Sequence, residues 1–256
     1  MQPFPLLQGK KGLILGVANE HSIAWGCART ALAQGAELVV TCVNDKARPF
    51  VEPLTQAANT PLLTCNVEQA DHLAATVEQA VQHLGGLDFV VHAIAWAPLE
   101  DLHGRVIDSS STGFARAMEV SAHSFATLAH LCAPHMTQGG SLITMTYLGA
   151  DLAVPHYGLM GPVKAALESL VRYMATELGP QGIRVHAVSP DPILTRAASG
   201  IDQFGDLMAK ARAKAPLGRL VTLDEIAQLT CFLASDASSG MTAQTLYVDA
   251  GEHAVA

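Results

Sequence analysis

Lys11-Gly-Leu-Ile-Leu-Gly16-Val-Ala-Asn-Glu-His-Ser22-Ile-Ala-Trp-Gly26 is the stretch on which the fold turns. A short apolar run ends on Gly16, and a helical pattern starts soon after, at Ile23. A strand that enters a helix through a glycine turn is how an α/β fold brings its backbone close to a dinucleotide pyrophosphate, with the helix N-terminus facing the charge. Gly16 supplies the permissive turn, and Ser22 is a helix N-cap or a phosphate hydrogen-bonder. Gly26 is expected to let helix and sheet approach. The spacing is not GxGxxG, so position between strand and helix carries this reading.

Outward from that turn the same rhythm repeats. Strands are expected over residues 11–16, 37–43, 61–65, 87–94, 141–147, 183–189 and 243–249. Helical patterns lie near residues 23–34, 48–58, 69–84, 112–135, 156–179 and 222–235. Alternation of this kind predicts a doubly wound, seven-stranded parallel sheet with helices on both faces. Runs such as Leu-Asp-Phe-Val-Val-His-Ala-Ile, residues 87–94, are apolar on both faces, as covered strands are. Nothing divides the chain, so residues 1–256 are expected to form one dinucleotide-binding catalytic domain. The segment at about 192–215 breaks the rhythm, with Ile201, Phe204, Leu207, Met208 and Ala211 at helical spacing. It is either a surface helix packed on the core or a small helical lid over a substrate pocket.

Composition narrows the class. Half of the 256 residues are apolar and 15% are charged, which suits a large core, and the net charge of -8 opposes nucleic-acid binding. No uninterrupted apolar stretch of roughly 18 residues suggests a membrane span. The N-terminal residues lack a secretory pattern, and Cys27, Cys42, Cys65, Cys132 and Cys231 are scattered without CxxC spacing, so a cytoplasmic chain with reduced thiols is expected. His130 and His135 fall on poorly matched helix faces and no HExxH occurs, so no metal site is expected.

The strongest local signal is Tyr157-Gly-Leu-Met160-Gly-Pro-Val-Lys164. Its spacing is close to two turns of about 3.6 residues, which places Tyr157 and Lys164 on one helix face. A Lys ammonium beneath a phenol is expected to lower the phenol's pKa and to reach ribose hydroxyls. The phenol then stabilises an oxyanion beside a nicotinamide. Tyr147 stands at the end of the preceding strand. After the second strand, Asp45 favours a free ribose 2′-hydroxyl, while Lys46 and Arg48 suit a 2′-phosphate. NADH is the expected cofactor, with NADPH left open.

Together these residues resemble the bacterial enoyl-acyl-carrier-protein reductases of the short-chain dehydrogenase/reductase superfamily. The matching stretches are GVANEHSIAWG, GAELVVTCVNDK, HAIAWAP, TYLGA, VPHYGLMGPVKAALESLVRYMATELGP, GIRVHAVS, ILTRAASGI and YVDAG, in order across nearly the whole chain. The resemblance implies hydride delivery from NADH to the β-carbon of a trans-2-enoyl thioester, with Tyr157 stabilising the enolate oxygen and Lys164 holding the nicotinamide ribose. Tyr147 would line the pocket. Gly16, Ser22, Ile23, Asn66, Val67, Ile94 and Ile193 match cofactor-contacting positions, and Ala97, Met160 and Phe204 match the substrate side. It also implies a homotetramer packed through residues 112–135 and 156–179, and an acyl carrier protein as the substrate's carrier.

Some positions depart from the family's pattern. Val43 replaces a Gln at adenine, Asn66 an Asp, Ala95 a Gly of the pocket wall and Asp191 a Gly near the cofactor. A carboxylate at Asp191 would repel the pyrophosphate unless it points away. The lid carries Asp202, Gly205 and Asp206 where basic residues usually meet the acidic carrier, with Lys210, Arg212 and Lys214 further on. Two other readings compete: a divergent reductase of another enone or a carbonyl, and a catalytically silent dinucleotide-binding paralogue. Intact Tyr147, Tyr157 and Lys164 oppose the second of these.

Overall fold

Along Lys11–Leu15 the side chains alternate between two separate apolar cores: Leu13 and Leu15 in one, Ile14 in the other. The same alternation holds in Glu37–Cys42 (Val39 against Leu38 and Val40) and in Phe89–His92 (Val90 against Phe89 and Val91). A strand with period-two side chains that buries both faces requires a helical layer on each side.

The computed structural model describes residues 5–69, 71–196 and 198–255. Ala70 of the expected third helical pattern, Ala197 of the lid segment and the extreme termini of the one-domain reading lie outside the described residues. The strands are β1 Lys11–Leu15, β2 Glu37–Cys42, β3 Leu62–Thr64, β4 Phe89–His92, β5 Gly140–Met145, β6 Ile183–Pro190 and β7 Gln244–Val248. They form one parallel sheet in the order β3-β2-β1-β4-β5-β6-β7. The helices are α1 Ile23–Ala33, α2 Arg48–Ala57, α3 His72–Leu84, α4 Leu99–Leu102, α5 Ser111–Met118, α6 Ser124–Cys132, α7 Met160–Leu178, α8 Phe204–Lys214 and α9 Leu223–Ala234. Helices α3, α6 and α7 cover one face through Val77, Phe125 and Leu167; α1 and α9 cover the other through Ala28 and Ala227. Because β2 and β4 flank β1, the strand order reverses there and opens a crevice at the carboxyl ends of β1 and β4.

The predicted fold class holds, and the differences from the expected elements have local causes. The 112–135 pattern is not one helix: a π turn at Glu119–His123 separates α5 from α6, and Ala133–His135 is a 3₁₀ turn. The Ser124 hydroxyl donates to the Val120 carbonyl at 2.7 Å, a side-chain bond that competes with the regular ladder. The 156–179 pattern starts late, at Met160, because His156 and Gly158 have φ of +64° and +48°. Tyr157 therefore lies in a turn ahead of α7, which corrects the shared-helix-face reading. Helix α3 starts at His72 after Asp71 at φ +65°, and the short α4 was not anticipated.

Gly26 also acts differently from expectation. A Cβ there would meet Leu223 of α9 at 3.3 Å, so the glycine serves helix–helix rather than helix–sheet approach. Ser22 caps α1 as expected, and Thr222 and Glu225 form a reciprocal capping box on α9. All five cysteines are free and buried. Among the described residues, no helix is long and apolar enough to cross a membrane, and no His, Cys, Asp or Glu group is arranged to hold a metal ion.

Candidate active site

The carboxyl ends of β5 and β6 and the start of α7 bring the chemistry together. Tyr147 follows β5, Tyr157 arrives from the turn before α7, and Lys164 stands in the second turn of α7. They are 8%, 7% and 4% exposed. The two phenol rings meet edge to face, 4.7 Å between centroids at 63°. Gly149 makes that contact possible, because a Cβ there would run into the Tyr157 ring and lie 3.3 Å from the Tyr147 ring.

Lys164 is held from the sheet side. Its ammonium donates to the Met145 carbonyl at 2.7 Å, and no other hydrogen bond to it occurs among the described residues. Burial pulls its pKa down to about 8, with the Glu168 carboxylate opposing. Glu168, one turn along α7, accepts from the Thr146 hydroxyl at 2.7 Å. Sequence reading missed Glu168, although its i+4 spacing from Lys164 was visible.

The tyrosines behave otherwise than expected. Burial is the main cause that pushes both phenols above their usual range; the Tyr147 ring and Glu168 add to this at Tyr157, and Glu252 and Asp191 at Tyr147. The Tyr157 phenol is thus raised by burial, not lowered by Lys164 as the spacing suggested. A neutral phenol suits a hydrogen-bond donor that acts on charge forming in a substrate.

Behind this cluster lies a polar network that sequence reading also missed. His92, fully buried at the end of β4, has Nδ1 3.0 Å from the Thr144 hydroxyl and Nε2 2.9 Å from the Ser124 hydroxyl. The Ser124 proton is engaged by the Val120 carbonyl, so Ser124 accepts from a protonated Nε2, while the Thr144 hydroxyl lies within reach of both Nδ1 and the His92 carbonyl, the latter at 3.2 Å. Burial first, and then the Lys164 charge, drive the His92 pKa down to about 3. In the same π turn, the Ser121 hydroxyl accepts from the Trp96 N–H at 2.8 Å and donates to the Trp96 carbonyl at 2.9 Å. This fixes the loop that carries Ala95 and Ala97.

The expected binding residues fall into two groups. Ala97, Met160 and Phe204 are buried in the same core cluster as Tyr147 and Tyr157, with Val67 and Ile94 packed against it. Ile23 and Ile193 pack against the cluster on the other sheet face. Gly16, at φ +98°, ends β1 beside β4, where a Cβ would collide with the Ala93 carbonyl. Ser22 bonds its own turn, donating to the Asn19 carbonyl at 2.7 Å. Asn66 accepts from the Glu68 N–H at 3.1 Å. Arg48 donates to Thr64 at 3.0 Å, while Val43, Asp45 and Lys46 are exposed.

One oxygen of Asp191 is held by backbone: its Oδ2 accepts from the Val221 N–H at 2.9 Å. Burial, with Glu252, Asp249 and Glu225 adding to it, raises this carboxyl to about 7. On the lid, α8 turns Phe204, Leu207 and Ala211 inward. Asp202 lies 3.5 Å from His156 Nδ1, and Asp206 sits in the first turn of α8.

These residues fit a nicotinamide dinucleotide on their own chemistry. A buried ammonium retains donors for sugar hydroxyls, a buried Tyr147 hydroxyl has no hydrogen-bond partner among the described residues, and the Gly16 turn opens α1 at the sheet's switch point.

Comparison with known proteins agrees. The model of the family described as "Enoyl-(Acyl carrier protein) reductase" matches residues 16–253. The chain is 43% identical to Enoyl-[acyl-carrier-protein] reductase [NADH] 1 of Rhizobium meliloti (strain 1021), over 98% of this chain and 92% of that protein. It is similar to the Anaplasma phagocytophilum reductase solved with NAD, at TM-score 0.93 and 41% identity, covering 98% of this chain and 96% of that one. It is also similar to the Bacillus cereus reductase solved with NADP+ and indole naphthyridinone, at TM-score 0.95 and 38% identity, covering 98% and 99%. The glycine turn, the paired tyrosines and the buried lysine stand on a full-length match, and the chain belongs to the enoyl-(acyl carrier protein) reductase family of the short-chain dehydrogenase/reductase superfamily.

Proposed function

We propose that this chain reduces the trans-2 double bond of an enoyl thioester with NADH, as an enoyl-acyl-carrier-protein reductase of type II fatty acid synthesis. The observation that carries the reading is the edge-to-face pair of Tyr147 and Tyr157, buried with Lys164 at the carboxyl ends of the central strands. When bound, NADH supplies a hydride to the substrate's β-carbon.

The chain's own residues do the rest. Tyr157 donates its phenol hydrogen bond to the thioester oxygen, which gains charge as the enolate forms. The enolate is then protonated at its α-carbon. Lys164 spends its spare donors on the nicotinamide ribose, while Met145 fixes its position. Tyr147 packs beside the thioester, and Ala97, Met160 and Phe204 line the acyl side with water excluded. Gly16, Ser22 and Ile23 hold the pyrophosphate end, Asn66 and Val67 the adenine, and Ile94 and Ile193 the nicotinamide. The segment at about 192–215 closes over the pocket as a lid, within one catalytic domain spanning residues 1–256.

Delivery by acyl carrier protein belongs to the same reading. His156 engages Asp202, and Asp206 is spent on the α8 dipole, while Lys210 and Arg212 are exposed to meet an acidic partner. The chain works as a cytoplasmic homotetramer packed through α5–α6 and α7, where Tyr173 is 69% exposed on the isolated chain.

Turnover tests it: NADH oxidation with a short enoyl-CoA, an enoyl-carrier substrate and a ketone, with NADPH in parallel. Turnover of the enoyl substrates is expected. Turnover of the ketone alone would overturn the proposal and leave a carbonyl reductase.

A further inference from the structure

The two loops proposed to hold opposite ends of the dinucleotide leave the sheet from strands that are not neighbours. Residues 66–68 follow β3 and residues 93–98 follow β4, and β2 and β1 stand between those strands. One side chain from a third element reaches both loops. Arg116, on α5, donates from Nε to Glu68 Oε1, and its guanidinium carbon lies 4.4 Å from the centre of the Trp96 ring.

Each contact is tied in turn to residues of the proposed site. The Glu68 N–H donates to Asn66 Oδ1 at 3.1 Å, with Val67 between them. Trp96 stands between Ala95 and Ala97, and the Ser121 hydroxyl, from the π turn that follows α5, holds both its N–H and its carbonyl. An exposed ion pair alone contributes little, and Arg116 is half-exposed. Here the pair and the ring contact share one cation. A planar guanidinium serves both at once, pairing with a carboxylate at its edge while its face lies on the aromatic ring; a Lys ammonium has no such fork.

Joining two loops fixes a separation. A ligand that must engage both loops binds best when they are already set against each other, because the ordering cost is met before it arrives. A ligand that engages one loop gains little from the link.

We infer that Arg116 is a positioning residue for the cofactor, a strap from α5 that sets the loop after β3 against the loop after β4 so that the two ends of NADH are received at a fixed separation. The strap acts through Glu68 and Trp96. It rests on the proposed placement of the adenine at Asn66 and Val67 and of the nicotinamide at Ile94.

The test compares NADH with ADP-ribose, which keeps the adenine end and lacks the nicotinamide. Dissociation constants are measured calorimetrically on the intact protein, without turnover. Arg116→Ala is expected to weaken NADH about tenfold and ADP-ribose less than about threefold, with melting temperature and circular dichroism preserved. Arg116→Lys keeps the charge without the planar fork and should fall between wild type and alanine. Glu68→Gln should weaken NADH in the same sense, and adding it to Arg116→Ala should cost less than about twofold more, since both remove one strap. Unchanged NADH affinity in Arg116→Ala overturns the inference. So does an equal loss for NADH and ADP-ribose, which would place the effect in the adenine loop alone. If Arg116→Ala does not fold, Glu68→Gln carries the same comparison. Failure of the wild-type chain to bind NADH sinks the underlying reading instead.

Discussion

Tyr157 and Lys164 are tuned by burial more than by each other. The phenol sits above its usual range and stays neutral, so in the proposed reaction its service is to donate, and removing the hydroxyl is expected to remove an interaction made chiefly in the transition state. Tyr157→Phe is expected to lower kcat by about 100-fold or more with little change in cofactor affinity, measured by steady-state kinetics beside direct NADH titration. Equal turnover by the variant would take Tyr157 out of the mechanism. Lys164 titrates at lower pH than a surface lysine, since burial favours its neutral form and brings its pKa down to about 8. It is charged below that pH and loses its proton above it. The profile of kcat/KM should therefore fall as pH rises through about 8, and Glu168→Gln, which removes the opposing carboxylate, should move the fall to lower pH. A profile flat to about pH 9 contradicts this.

Element by element, the sequence was most legible where periodicity decides and least where a single torsion does. The β1 turn, both helical layers and the seven strands were readable because apolar runs and caps repeat on fixed periods. The direction of Asp191 was not, since no pattern says whether a carboxylate turns to the Val221 N–H or to the crevice. Nor was the break at His156 and Gly158, which moved Tyr157 off α7. The same holds for the π turn, where Ser121 and Ser124 bond the Trp96 backbone and the Val120 carbonyl in place of a continuous helix. His92 escaped notice because a polar residue inside an apolar run carries no sign of its partner. The 3₁₀ turn Leu148–Ala150 yields a prediction of its own: Gly149 is the space the Tyr157 ring occupies. Gly149→Ala should displace that ring and reduce kcat by about 100-fold, while the protein still folds, as thermal melting would show. Wild-type kcat in this variant would mean that the ring's seat is not set there.

For the whole molecule, a net charge of -8 has to be reconciled with the proposed acidic carrier. In the proposed docking, charge placement resolves the conflict, since Lys210 and Arg212 are exposed on α8 and His156 Nδ1 lies 3.5 Å from Asp202. Lys210→Glu with Arg212→Glu should lower kcat/KM for an enoyl-carrier substrate about tenfold at low salt, and the deficit should shrink as salt is raised. A neutral N-acetylcysteamine enoyl thioester should be unaffected. Equal losses on both substrates would place the effect in the pocket and not in docking.

The central claim concerns which carbon receives the hydride, and isotope transfer reads that carbon directly. The chain is incubated with a trans-2-enoyl thioester and NADH deuterated at the transferring position, and the product is analysed by NMR and mass spectrometry. A saturated thioester with one deuterium at the β-carbon and a solvent proton at the α-carbon is the expected result. Deuterium on a carbinol carbon, or an untouched double bond with NADH consumed, would contradict it.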